Sequence, residues 1–370
     1  MSNIIDYVSW RGDLDFTASP FNEVDSLILT QLVYLDFRGI VPGIHSRSSV
    51  TLEKAAEEYF AGHSNQTEES GGQLLKDCRM VLKAVMGTER FKNCRLSRYI
   101  EDISEEKEYQ FSAVKIVPED GSIYISFSGT DSSLAGWKEN FNMSYLARTP
   151  GQERAVQYVQ KVLETGRKPV CLGGHSKGGN LAVYAAANVP SEIQERITVV
   201  YSHDGPGFDK AFFDEDGYVR IASKIHKSVP GSSIIGMLFE TREHVEDGYT
   251  VVSSDGASIM QHFALHWQVD HGQFVQADGL TSSAQYLART INGWMAKYDD
   301  EHRRKFIENL FAIFEAGGYD TFGDLTSHLT QSLPIMLAAA RNIDVEDRDV
   351  MIEVLKGFAA TAAASVILAK

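Results

Sequence analysis

A glycine-rich turn between an apolar run and a helix-forming run constrains the fold of this chain more than any other stretch. Residues 169–172 (PVCL) are typical of a buried strand in a parallel sheet, and residues 180–187 (NLAVYAAA) strongly favour a helix. Between them lies a G-x-S-x-G pattern centred on Ser176. A serine on such a tight strand-to-helix turn is lifted out of the sheet, beside the first N–H groups of the helix. The stretch therefore predicts a nucleophile elbow, and the alternative is a glycine-rich turn that binds a phosphate.

Composition limits the domain size, the partners and the cellular location that we expect for this chain. The 370 residues are 43% hydrophobic, which is enough for one large domain or a domain with an appendage. A net charge of −15 argues against nucleic acid as a partner. The three cysteines show no metal spacing, and we find no secretion signal and no apolar run long enough to span a bilayer. We therefore expect a cytoplasmic protein without a metal or organic cofactor.

The order of the elements predicts the architecture. Helical patterns occur at residues 26–37, 50–62 and 73–87, after an irregular start at 1–24, and the first strand patterns are at residues 109–117 and 122–128. Helix 151–166, the strand and helix around the turn, and strands 197–201 and 249–253 then alternate, which indicates a mostly parallel central sheet with helices on both faces. Helical patterns return at 282–298, 301–316, 321–342 and 344–369. We expect one body over residues 1–281 and a helical extension over 282–370 that packs on it.

An attacking serine needs a base, because its hydroxyl is a poor nucleophile until an imidazole accepts the proton. In sheet enzymes with this elbow, the histidine lies on a loop after the last strand. His262 fits this position best. Its competitors are His271 and His266, and the strand-like run around His266 favours a packed side chain.

The acid that orients the imidazole is expected at the end of an intermediate strand. Asp204 follows strand 197–201 and precedes a Gly-Pro-Gly loop at the functional edge of the sheet. Asp255 is the rival, and Glu240 is a weaker one. Asp204 has a structural explanation as well, since a turn aspartate can fix such a loop through its backbone.

Two donors are needed for the oxyanion that forms in acyl transfer. The first is expected to be the backbone N–H of Lys177, directly after the nucleophile. The second is expected from the loop at residues 128–131, where Thr130 offers a backbone N–H and a hydroxyl. We expect the side chain of Lys177 to face solvent.

These motifs resemble known families. The GHSKGG stretch at 174–179 and the FSGTD stretch at 127–131 are similar to those of the fungal-type class 3 lipases of the α/β-hydrolase superfamily. More closely, the chain resembles the bacterial Mbeg1-like proteins. The matching stretches are 10–13 (WRGD), 20–25 (PFNEVD), 127–131 (FSGTD), 174–180 (GHSKGGN), 204–208 (DGPGF), and Gln261 and His262 before Trp267. The resemblance implies an α/β-hydrolase fold and a hydrolase, and it names no substrate.

Two positions depart from the class 3 lipase pattern. Ser128 stands where those lipases have Arg, and Lys227 stands where their D-x-V-P stretch has the acid. The second departure is the reason for assigning the acid to Asp204.

Together these features predict a serine hydrolase that cleaves a carboxylic ester, with acyl lipids among the candidate substrates, through Ser176, His262 and Asp204. The alternative is a binding or scaffold protein on the same fold with an inactive site. The sequence leaves open ester against thioester or amide, contact with a membrane surface, and the oligomeric state.

Overall fold

The fold is organised around one eight-stranded sheet. In a computed structural model, the chain is described at residues 2–63, 72–104, 109–130, 134–143, 145–146, 148–239, 248–256, 258–319, 328–340, 343 and 347–348. The strands β1 to β8 lie in the sheet in the order in which they occur in the chain. Strands β1 to β4 pair antiparallel, and strands β4 to β8 pair parallel.

Ten strands are described, of which the last two form a separate small hairpin. They are β1 (Val50–Thr51), β2 (Arg95–Ser104), β3 (Tyr109–Val117), β4 (Ile123–Phe127), β5 (Val170–His175), β6 (Ile197–His203), β7 (Ile225–Pro230), β8 (Tyr249–Val252), β9 (Val269–Asp270) and β10 (Gln273–Phe274).

Twelve α-helices are described. They are α1 (Ile4–Arg11), α2 (Glu23–Leu32), α3 (Leu52–Gly62), α4 (Gly72–Val85), α5 (Leu134–Asn142), α6 (Pro150–Leu163), α7 (Lys177–Asn188), α8 (Ser191–Gln194), α9 (Asp216–Ile221), α10 (Ser282–Lys297), α11 (Asp300–Ala316) and α12 (Leu329–Ala339).

Helices cover the central strands on both faces. Successive side chains of a strand point to opposite faces, and in β4 Tyr124 joins the core formed with α2 while Ile125 joins the core formed with α6 and α7. Every residue of β4 is buried as a result. Two-sided burial explains why the central strands are continuous apolar runs.

A third core joins the C-terminal helices to the body. Trp294 of α10 and Phe311 of α11 share this core with Leu238 and Phe239, which lie beyond β7. The side chain of Asn292 in α10 accepts a hydrogen bond of 2.9 Å from the backbone N–H of Phe239. Helix α10 is therefore packed against the segment that follows β7. The division into residues 1–281 and 282–370 stays a prediction.

The predicted α/β architecture, with a mostly parallel sheet and helices on both faces, is confirmed. Strand β2 was not predicted, and it extends the sheet from the β3 edge through antiparallel pairing. The predicted helices at 282–298 and 301–316 correspond to α10 and α11. Apart from residues 347 and 348, the predicted helix at 344–369 lies outside the described residues.

Candidate active site

Ser176 occupies a sharp turn between β5 and α7. Its backbone has φ 58° and ψ −133°, a combination that is unfavourable for a residue with a side chain. The backbone N–H of Ser176 donates to the carbonyl oxygen of His203 at 2.9 Å, so the turn is tied to the end of the neighbouring strand β6. Two glycines make the turn possible, because a Cβ at Gly174 would lie 2.0 Å from the carbonyl carbon of Gly178. The geometry is that of a nucleophile elbow.

The next residue after β6 is Asp204, and its carboxylate bonds to His262. The distance from His262 Nδ1 to Asp204 Oδ2 is 2.6 Å. The other carboxylate oxygen, Oδ1, accepts from the hydroxyl of Ser233 at 2.5 Å and from the backbone N–H of Gly236 at 3.1 Å. Asp204 is fully buried. Its orientation is therefore fixed on both sides, and a neutral His262 carries its proton on Nδ1 and leaves Nε2 as an acceptor.

The loop that carries His262 is anchored through the preceding residue. His262 ends a short 3₁₀ turn, Ser258–His262. The side chain of Gln261 accepts from the N–H of Ser232 at 2.7 Å and donates to the carbonyl of Gly256 at 3.0 Å. The indole of the fully buried Trp267 donates to the carbonyl of Gln261 at 2.8 Å. Gln261 and Trp267, which belong to the stretches that resemble the Mbeg1-like proteins, therefore hold the loop of His262 in place.

His175, the residue before the serine, was missed as a functional position by sequence reasoning. Its Nε2 lies 2.8 Å from the carbonyl oxygen of His262, which can only accept, so Nε2 carries the proton. Its Nδ1 then accepts from the hydroxyl of Tyr34 at 3.1 Å. The rings of His175 and His262 are 4.6 Å apart. His175 therefore links the elbow to the loop of the predicted base, and its place within G-H-S was the available signal.

Burial keeps two histidines near the site neutral. Burial, with a smaller contribution from the adjacent His262, lowers the pKa of His175 to about 3. Burial likewise lowers the pKa of His203 to about 3, with a smaller contribution from His175. His203 Nε2 lies 2.9 Å from the hydroxyl oxygen of Ser26.

These pKa values predict acid sensitivity of the fold. Between pH values of about 3 and about 6.5 the unfolded chain protonates both histidines and the folded chain does not. The free energy of unfolding therefore falls as the pH drops below about 6.5, by up to about 1.4 kcal/mol per pH unit for each histidine. We expect urea denaturation to show this loss between about pH 7 and about pH 5.

A matched pair of variants separates this effect from carboxylate titration. His203 is fully buried among aromatic rings and His45 is exposed. His203→Phe is expected to reduce the dependence of unfolding free energy on pH, and His45→Phe is expected to leave it unchanged. Equal pH dependence in all three proteins would contradict the assignment.

The other residues that the sequence offered as acid or base make different contacts. Asp255 is exposed, and its Oδ1 accepts from the side chain of Gln268 at 2.8 Å. His266 lies in the 3₁₀ turn Ala264–His266 and not in a strand, and burial lowers its pKa. His271 is exposed and pairs with Asp270 at 2.6 Å. Glu240 lies outside the described residues. The carboxylate that bonds to His262 is that of Asp204.

The expectation of a solvent-facing Lys177 was wrong. Its side chain is 2% exposed, and its Nζ lies 2.5 Å from Glu139 Oε2 in helix α5. Its backbone N–H is the first of α7 and has no acceptor within that helix. The hydroxyl of Thr130 donates to Asn140 Oδ1 at 3.1 Å, so in this structure it is engaged away from the predicted oxyanion. The backbone N–H groups of both residues remain the predicted donors.

Asn180 has a role that sequence reasoning did not assign. Its Nδ2 donates to the carbonyl oxygens of Pro206 at 3.2 Å and Gly207 at 2.9 Å. Its Oδ1 accepts from Gln152 at 2.9 Å. The helix that begins after the serine thus holds the loop that follows Asp204, and the signal was the final Asn of GHSKGGN.

The family model described as Mbeg1-like matches residues 85–312, which is more than half of the chain. The chain belongs to the Mbeg1-like family. The matched region contains the elbow, Asp204, His262 and helix α5. Among curated proteins, no relative was found.

Several solved lipases are structurally similar to this Mbeg1-like chain at low identity. M37 lipase is 13% identical, with a TM-score of 0.40 over 76% of this chain and 83% of that one. A triacylglycerol lipase with a serine protease triad is 14% identical, with a TM-score of 0.36 over 63% and 78%. Lip2 lipase from Yarrowia lipolytica is 12% identical, with a TM-score of 0.33 over 65% and 93%.

Among the described residues, no helix is both long and apolar enough to cross a membrane. No group of three or more histidine, cysteine, aspartate or glutamate side chains in the same residues is arranged to hold a metal ion.

Proposed function

We propose that this Mbeg1-like protein is a serine hydrolase that cleaves a carboxylic ester through an acyl-enzyme. Ser176 Oγ attacks the carbonyl carbon while His262 Nε2 accepts its proton. The oxyanion of the tetrahedral intermediate accepts from the N–H groups of Lys177 and Thr130. His262 then gives the proton to the departing alcohol, and a water molecule activated by His262 releases the acid.

One observation carries this proposal. Asp204 Oδ2 lies 2.6 Å from His262 Nδ1, at the same edge of the sheet as the strained Ser176. Three donors converge on this buried carboxylate, namely His262, Ser233 and the N–H of Gly236. Such an arrangement fixes the tautomer that a base for Ser176 requires.

The substrate class follows from the resemblance of residues 127–131 and 174–179 to the class 3 lipases. It makes carboxylic esters, with acyl lipids among them, the first substrates to test. Thioesters would use the same residues, so they belong in the same assay. The protein has a net charge of −15 and therefore repels anions. A neutral or cationic substrate is expected to reach it more readily than an anionic one.

One observation favours the alternative, a binding protein with an inactive site. The hydroxyl of Ser176 makes no hydrogen bond to any described residue, and the side chain is 3% exposed. In an active enzyme, this hydroxyl must meet His262 Nε2 when the substrate binds, since catalytic hydrogen bonds often tighten only in the complex.

The test is hydrolysis of p-nitrophenyl esters from acetate to palmitate, with matched thioesters, by the wild type and by His262→Ala. We expect ester turnover by the wild type and a loss of about 10³-fold or more in His262→Ala. His271→Ala is the matched control, because His271 is exposed and pairs with Asp270 away from the elbow. Folded wild-type protein that hydrolyses no ester or thioester would instead support the binding protein.

A further inference from the structure

Helix α5 bonds to both residues whose backbone N–H groups are the proposed oxyanion donors. Glu139 contacts the side chain of Lys177, and the next residue, Asn140, contacts the side chain of Thr130. Lys177 begins α7 after the nucleophile, and Thr130 lies in the loop after β4. One turn of one helix therefore joins two separate parts of the proposed oxyanion hole.

The contact with Lys177 is a buried ion pair. Lys177 Nζ lies 2.5 Å from Glu139 Oε2 and donates to the carbonyl of Gln110 at 2.8 Å. Glu139 Oε2 also accepts from the N–H of Gln110 at 3.1 Å. Both charged side chains are nearly inaccessible, at 2% and 3% exposure. The first residue of α7 is thus tied to α5 and to the start of β3.

The contact with Thr130 is a buried hydrogen bond between neutral groups. Thr130 Oγ1 donates to Asn140 Oδ1 at 3.1 Å. The loop of Thr130 also packs closely on the elbow, because a Cβ at Gly129 would lie 2.9 Å from Ser176 Cβ and 2.7 Å from the carbonyl oxygen of His175. A small rotation of Thr130 would therefore change the direction of its backbone N–H next to the nucleophile.

Stability alone does not explain these contacts. Among the described residues, Glu139 Oε1 and Asn140 Nδ2 are buried and have no hydrogen-bond partner. An unsatisfied buried polar atom is costly, and a buried ion pair often stabilises no more than apolar residues of the same volume. Buried polar groups that carry such a cost are typical of a functional site.

We propose that Glu139 and Asn140 are positioning residues that set the direction of the Lys177 and Thr130 N–H groups toward the oxyanion. This inference rests on the proposed function. Helix α5 packs in turn against α11, since the rings of Phe141 in α5 and Phe311 in α11 are 5.7 Å apart. The C-terminal helix α11 therefore contacts the helix that bonds to both residues of the proposed oxyanion hole.

The test for Asn140 uses two replacements of Thr130 that keep its backbone N–H. Thr130→Val keeps the shape and loses the hydroxyl that bonds to Asn140, whereas Thr130→Ser keeps that hydroxyl. We expect the second-order rate of labelling by a fluorophosphonate to fall about 10-fold or more in Thr130→Val, and we expect Thr130→Ser to recover most of that loss. For ester hydrolysis, the loss in Thr130→Val is expected in kcat, with KM unchanged.

The test for Glu139 removes both charges together. The double variant K177M/E139Q keeps the backbone N–H at position 177 and leaves no unpaired buried charge. We expect its labelling rate to fall about 10-fold or more, with KM for the ester unchanged. R90M/D25N is the matched control, because that ion pair is also fully buried but joins Arg90 to α2. It is expected to lower the melting temperature and to label at the wild-type rate at a temperature where it is folded.

The outcomes distinguish this inference from the proposed function. A wild-type protein that is folded and not labelled overturns both. A labelled wild type, with Thr130→Val and K177M/E139Q labelled at the wild-type rate, overturns the positioning role and leaves the hydrolase intact. Should K177M/E139Q fail to fold, the comparison of Thr130→Val with Thr130→Ser still decides the matter for Asn140 and α5.

Discussion

Ser176→Ala is expected to abolish ester hydrolysis and fluorophosphonate labelling while leaving the fold intact. The covalent step needs the Ser176 oxygen, and the loss of a nucleophile costs about 10⁴–10⁶-fold in kcat in comparable enzymes. The backbone of the turn should persist, since its N–H bond to His203 and its close glycine contacts do not involve the hydroxyl. Initial rates on the best p-nitrophenyl ester, with circular dichroism of both proteins, measure the effect.

Ser191→Ala serves as the control for this substitution. Ser191 is an exposed serine at the start of a short helix, and its loss is expected to change neither rate nor stability. Hydrolysis by Ser176→Ala at the rate of the wild type would contradict the role of Ser176 as nucleophile.

Asp204→Asn is expected to reduce kcat by about 10³–10⁴-fold with little change in KM. The contacts of the carboxylate give the reason. Ser233 and Gly236 both donate to Oδ1, so an asparagine would place its oxygen there and turn its NH₂ toward His262. His262 Nδ1 would then have to accept, its proton would move to Nε2, and the ring could no longer take a proton from Ser176.

Asp255→Asn is the matched control, because Asp255 was the rival acid in the sequence. It is exposed and bonds to Gln268, so we expect its kcat to stay within about 2-fold of the wild type. A large loss in Asp255→Asn together with a normal Asp204→Asn would reverse the assignment of the acid.

The parts of the fold that the sequence predicted are those fixed by local patterns. The apolar runs of β4 and β5 are buried on both faces, and the turn at Ser176 requires its glycines. Asp204 could be chosen as the candidate acid because it directly follows β6, and parallel strands bring their carboxyl ends to one edge of the sheet. The catalytic role of Ser176, His262 and Asp204 stays a prediction.

The parts that were missed depend on contacts between distant segments. Strand β2 pairs with β3, and its polar sequence gave no clear alternation. The side chain of Lys177 was expected to face solvent, but α5 lies over it and supplies Glu139. The role of His175 depends on the backbone of His262, which is 87 residues away. No local pattern encodes such a contact.

The proposed nucleophile is tested most directly by mapping the site of covalent modification in the wild-type protein. The folded protein would be treated with a fluorophosphonate, digested, and mapped by mass spectrometry. We expect a single adduct on Ser176 that is absent from His262→Ala. An unchanged mass after prolonged treatment, or an adduct on another residue, would contradict the assignment of Ser176 as an activated nucleophile.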